Sequence, residues 1–391
     1  MSHVMPPSAP VRSPRVAALR PADPPVKQVR DVLPAHARER STRRGVACFV
    51  GAVVPWLVTF LAIGLPMPWP ARVAFAVVNG LACGLLFVVG HDACHGSLTP
   101  RSRLNACLGR AALLPSLHPY VAWAHSHNAL HHGWTNLRGR DPVYAPMTLA
   151  EFRALPSWRR GLVRACRSAL GVLPLYLLEI WWRYEIRPSP DVRAHVEKRG
   201  SFVRDRALVL AMPPVQAAAL ALLAHVTGAA AGWALVGVAA LGATVPFLTF
   251  TWMMGFATFQ HHTHPRVVWY ADEREWSFYR SQVQGTVHVE LPAWVDALLH
   301  HIMEHTAHHV DTRVPLYQLA GAQRAIEAAF GPDVIVERFT LRGMRRTFRA
   351  CQLYDYEAHR WLSFDGVPTT EARDLEAERR ARMENASGVA V

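Results

Sequence analysis

Eight histidines fall in three short stretches, "HDACH" (91–95), "HNALHH" (127–132) and "HTAHH" (305–309). His91 and His95 stand four residues apart, which on a helix puts both imidazoles on one face about one turn apart. The two triplets, His127, His131 and His132, and His305, His308 and His309, can each offer two rings to one site and a third to its neighbour. A pair of this kind alone would be a solvated helix end as readily as a metal site. Three groups together change that balance, because burying so many imidazoles without partners costs several kcal/mol in unmet hydrogen bonds, on the order of what any buried polar group costs. A shared metal cluster with nitrogen ligands is the economical reading.

The six cysteines form neither a CxxC pair nor a zinc-finger spacing, so thiolates do not hold the metal. The apolar runs contain no EXXH pair either, which excludes the carboxylate-bridged site of soluble di-metal bundles.

The elements that must position these rings are membrane helices. A hydrophobic share of 51% with only 18% charged residues lies outside the usual soluble range. Four stretches, 46–69, 71–90, 207–227 and 230–259, reach the roughly 20 apolar residues that cross a bilayer. The links at 66–72 and 227–232 are very short, so the spans make two tight hairpins, each returning to the side it left. The predicted fold is an all-α membrane protein with four transmembrane helices in two hairpins and a cytoplasmic helical cap rich in histidine. Residues 168–183, with Pro174, Glu179 and a Trp pair, are expected to lie on the membrane surface, as are residues 104–118.

The formal charge of +13 comes mostly from arginine. Arg12, Arg15, Arg20, Arg30, Arg38, Arg40, Arg43 and Arg44 precede the first span, and more lie between 138 and 206, while the short links carry almost none. Positive charge on one side only is the mark of a cytoplasmic face, and it argues against a nucleic-acid partner. All histidine groups then fall on that face, in what is expected to be a bacterial inner membrane. Residues 1–45 read as a disordered basic leader without a signal peptide, 46–330 as the membrane domain, and 331–391 as a cytoplasmic region with a charged helix and a tail.

These groups resemble the histidine boxes of the integral-membrane fatty acid desaturases, HxxxH, HxxxHH and HxxHH in that order around two helical hairpins. The context is similar too. "HDACHGSL" resembles the first box of acyl desaturases, "YVAWAHSHNALHHGWTN" has the Trp before and the Thr-Asn after the second, and "HTAHHVDTRVPLYQL" has the Pro and Tyr after the third. "FQHHTHPRVVWY" resembles the QHTHP stretch of the oleate and acyl-lipid type, which carries over His262 as a ninth ligand. His261 stands where that stretch usually has Gln, so both positions remain open, with His264 beside them.

The resemblance implies two non-haem iron ions, O2 as co-substrate and a double bond introduced into an acyl chain held as a lipid or thioester. Asp92, His261, His264, His301, Glu304 and Asp311 would stand behind the ligands and orient them. A fatty acyl, carotenoid or sphingoid hydroxylase or ketolase on the same scaffold is the alternative. A metal transporter or non-catalytic metal-binding protein is the remote one, since only His225 approaches the middle of a span. The chain lacks a CxxCH haem site, iron–sulfur cysteines and a GxGxxG fingerprint, so electrons are expected from a separate carrier such as a ferredoxin with its reductase.

Overall fold

A computed structural model describes residues 23–143, 145–188, 192–193, 196, 201–378 and 380–381. Four helices in it are long and apolar enough to cross a membrane: Thr42–Ile63, Trp69–His95, Phe202–Val226 and Trp233–His262. The first and third are mostly exposed along their most apolar windows (22% and 17% buried), whereas the second is 61% buried and forms the centre of the bundle. Ser41 caps the first span, its hydroxyl accepting from the Arg44 amide at 3.3 Å. Gly96, in the left-handed region at φ +73°, ends the second span.

The spans meet through small residues and a few buried polar bonds. A Cβ on Gly80 would lie 2.6 Å from the Pro246 carbonyl oxygen, so this glycine lets the second and fourth spans approach closely. Asn79 Nδ2 donates to Trp56 O at 2.6 Å and to Thr59 Oγ1 at 2.8 Å, tying the second span to the first. At the short link, the buried Arg72 guanidinium donates to the carbonyls of Ile63 and Leu65 and fills helix-end acceptors that lipid could not.

The second and fourth spans run further than the apolar runs suggest, to His95 and His262, so the ligating types continue the helices. Both therefore end where the first and third begin, and the histidine groups gather at that one end of the bundle. Neither Ser102–Leu113 nor the 168–186 stretch is among the four candidate crossings. The latter is a helical turn, Val172–Leu175, followed by a π-helical segment, Tyr176–Ile186, and it packs against the fourth span, where Trp252 Nε1 donates to Ala169 O at 2.8 Å.

Both flanks of the spans carry ordered elements. The leader was expected to be disordered through residue 45, but Val26–Asp31 forms a helix and Ala35–Arg38 a 3-10 turn, while residues 1–22 lie outside the described residues. The cause is a set of partners in the third histidine group's surroundings. Arg30 Nε donates to Val310 O at 2.9 Å, Arg38 Nε to Asp311 Oδ2 at 2.8 Å, and the Ser41 amide to the Tyr317 hydroxyl at 2.7 Å. Strands pair across residue 331. Strand β1 (Val287–Glu290) pairs in parallel with β2 (Ile335–Arg338), and β3 (Leu353–Asp355) with β4 (Arg360–Leu362) makes a hairpin whose Leu353, Tyr354 and Trp361 are buried. The polar lobe is thus built from both sides of that position. Of the charged helix and tail expected in 371–391, residues 382–391 lie outside the described residues.

Candidate metal centre

The nine histidines converge as two groups. His91, His95, His127, His132 and His308 bring one nitrogen each to within 4.8 Å of one another, and His131, His262, His305 and His309 do the same. Each triplet divides: His127 and His132 join the first group and His131 the second, while His308 joins the first and His305 and His309 the second.

Local backbone explains the division. Residues Ser126–His131 form a π-helical turn. On an α-helix, residues five apart point about 140° away from each other. The wider turn instead brings His127 Nε2 and His132 Nε2 to 3.0 Å, with His308 Nε2 also 3.0 Å from His132 Nε2. In the second group His262 Nε2 and His305 Nε2 are 2.9 Å apart.

These nitrogens fit a cation. His95 Nε2 and His309 Nε2 are buried without a hydrogen-bond partner. Nε2 atoms facing one another at 2.9–3.0 Å match the separation of neighbouring ligands around an ion with metal–nitrogen bonds of about 2.1 Å. Burial, and then the neighbouring imidazoles, hold His127, His132, His305, His308 and His309 well below the ordinary histidine range. They are neutral at physiological pH, with lone pairs to give.

Two orienting side chains escaped the sequence reading. His131 Nδ1 donates to Asp141 Oδ1 at 2.9 Å, and His309 Nδ1 to Gln282 Oε1 at 2.7 Å. Each bond fixes a tautomer and leaves the Nε2 lone pair aimed inward. Separations of ten and 27 residues carry no helical period that would have signalled them.

The expected orienting residues are placed variously. Asp92 Oδ2 accepts from the Leu316 amide at 3.3 Å, just past the third group. Asp311 is held by Arg38 and Arg313 on the side of that group facing the leader. Its carboxyl is down at about 2: burial opposes this, but bonds from Arg313 and Arg38 outweigh it. His261 stacks on His305 with centroids 3.8 Å apart and turns Nε2 to Met303 Sδ, so it is His262 that enters the four-membered group. His264 faces the Arg266 amide and Glu337, and His301 and Glu304 bond to each other.

A cavity open to the exterior reaches both groups. His91, His127, His131, His262 and His305 bound it on one side; Gly84, Phe87 and Val88 of the second span and Met253 of the fourth carry it into the bundle. Gly84, Phe87, Val88 and His91 recur at the spacing of one helix face, so the cavity follows the second span for about 10 Å at 1.5 Å per residue.

Four membrane-length helices with two histidine clusters at one end, opening on an apolar cavity, make a membrane protein whose clusters could hold metal beside a space for an apolar chain. The fatty acid desaturase family model matches residues 67–340, and the chain belongs to that family: it is a membrane fatty acyl desaturase, an oxidoreductase. The chain is 27% identical over 376 residues to a sn-1 oleoyl-lipid 12-desaturase of Synechocystis, covering 94% of this chain and 99% of the relative. It is 26% identical to a chloroplastic omega-6 fatty acid desaturase of spinach (87% of this chain, 69% of the relative). A Synechocystis sn-1 acyl-lipid omega-3 desaturase (ferredoxin) is 28% identical over 78% of this chain and 81% of its own.

Proposed function

We propose that this desaturase acts on lipid-bound acyl chains with two iron ions, one held by His91, His95, His127, His132 and His308 and the other by His131, His262, His305 and His309. The observation that carries this reading is one apolar cavity walled by ligating nitrogens of both groups. Bound iron would supply the activation of O2 and the oxidising power to take two hydrogens from adjacent carbons. The chain's own residues do the rest. Phe87, Val88 and Met253 give the acyl chain an apolar wall and exclude water, and the imidazoles fix which carbons lie nearest the metals. Asp141 and Gln282 keep His131 and His309 in the ligating tautomer.

The site faces the cytoplasm of a bacterial cell, its spans crossing the inner membrane. Arginines flank the end of the bundle that carries the histidines, while the far link at 227–232 has no basic residue. Electrons come from a separate acidic carrier, in the manner of a ferredoxin served by its reductase. Arg342, Arg345, Arg346 and Arg349 are exposed along one face of the helix Leu341–Ala350, a basic ridge suited to such a partner.

The test is mass spectrometry of fatty acids, derivatised to locate double bonds, from a bacterial host expressing wild type or His308→Ala with ferredoxin and reductase. A new double bond is expected with wild type alone, with both proteins inserted equally. Full activity of well-expressed His308→Ala would overturn the ligand assignment, and a hydroxylated product would overturn the reaction.

A further inference from the structure

Apart from the nine histidines, Asp296, His301 and Glu304 also place one ligand atom each within 4.8 Å of one another. Asp296 lies on the short helix Ala293–Leu298, and the chain then turns through His300 and His301, both left-handed at φ +54° and +59°. That turn folds the His301 ring back over both acids. Its Nδ1 is 2.8 Å from Asp296 Oδ2 and 3.1 Å from Glu304 Oε1.

One N–H cannot fill two carboxylates. Asp296 Oδ1 and Glu304 Oε2 are buried with no donor from outside the pair, and burial, then Asp296, push the Glu304 carboxyl, only 7% exposed, up to about 9. His301 is 30% exposed, which leaves an approach from solvent and room for a water ligand.

We propose that Asp296, His301 and Glu304 form a third metal site, for a divalent transition cation of the zinc class, separate from the two histidine groups. One imidazole and two carboxylates with an open position is a donor set for such an ion, whereas calcium and magnesium favour oxygen alone. The cation neutralises the paired acids and replaces the single shared N–H with three bonds. It also pins a wall of the cavity, because Leu299, Ile302 and Met303 line it and Glu304 leads into the helix His305–Val310.

The experiment uses the full-length protein in detergent, purified through a histidine-free tag, loaded with iron and then titrated with Zn2+, with both metals counted per chain. Wild type is expected to take up one equivalent of zinc on top of its iron. Asp296→Asn keeps the side-chain shape, and His301→Asn keeps a residue that tolerates the left-handed backbone. Each should weaken zinc binding by more than about 100-fold, beyond the effect of losing an outer partner. Iron per chain should not change. Iron-loaded wild type that takes up no zinc, or variants that take up as much as wild type, would overturn the site. Because iron is counted separately, failure of the iron assignment would show as missing iron whatever the zinc result.

Discussion

His131 Nδ1 and Asp141 Oδ1 lie 2.9 Å apart, with side chains 3% and 0% exposed. The carboxylate is itself fixed, accepting from the Asn136 amide at 2.7 Å and the Val143 amide at 3.0 Å. It holds the ring so that the other nitrogen joins His262, His305 and His309. Asp141→Asn puts an amide NH2 where one of those donors now points, and the ring loses its charged partner. Iron in the four-histidine group should bind about 10–100-fold more weakly. Purified variant is expected to carry about half the iron of wild type and to turn over poorly, while its circular dichroism stays helical. Full iron and full turnover would show that Asp141 does not orient a ligand.

Gly84 stands where the cavity runs deepest along the second span, and a Cβ built there falls 1.7 Å from the Met253 methyl. That methyl is the end of a flexible side chain and can swing aside, but only into the cavity's own space. Gly84→Val should therefore shorten the space for the acyl chain and leave the nitrogens untouched. In lipids fed with acyl chains of two lengths, the ratio of longer to shorter desaturated product should fall by about tenfold, as steric discrimination in apolar pockets permits. An unchanged ratio would place the end of the acyl chain elsewhere.

Much of this arrangement was legible in the residues. Hydropathy located the four spans to within a few residues at most ends, and the spacing of the triplets already allowed each to serve two sites. What the sequence hides is what depends on distant partners or on irregular backbone. The leader reads as disordered because it is rich in Pro and Arg without an apolar core, and only the fold supplies Val310 O and Asp311 to receive Arg30 and Arg38. The π-helical turn over Ser126–His131 has no composition signal, yet it decides that His127 meets His132. Helix phase likewise separates His261 from His262, turning one toward Met303 and the other toward His305.

Glu185 gives a pH dependence whose sign can be worked out. Its side chain is buried beside the cavity, with Oε1 accepting from the Ser126 hydroxyl at 2.6 Å. Burial pushes the carboxyl up to about 8, against the pull of that bond. In the unfolded chain it ionises near about 4.3. A group raised in this way contributes its full stability below the unfolded value and loses it as pH climbs through about 8, because the folded protein must keep a proton that the unfolded chain has released. Glu185→Gln has no proton to lose and keeps an oxygen for Ser126. Its apparent melting temperature in detergent, less that of wild type, should therefore be smallest near about pH 5 and grow steadily toward about pH 8, since other groups titrate alike in both proteins and cancel. A difference that stays flat over that range would mean that Glu185 is ionised in the folded protein, and the cavity beside it would then hold a negative charge facing the acyl chain rather than a neutral acid.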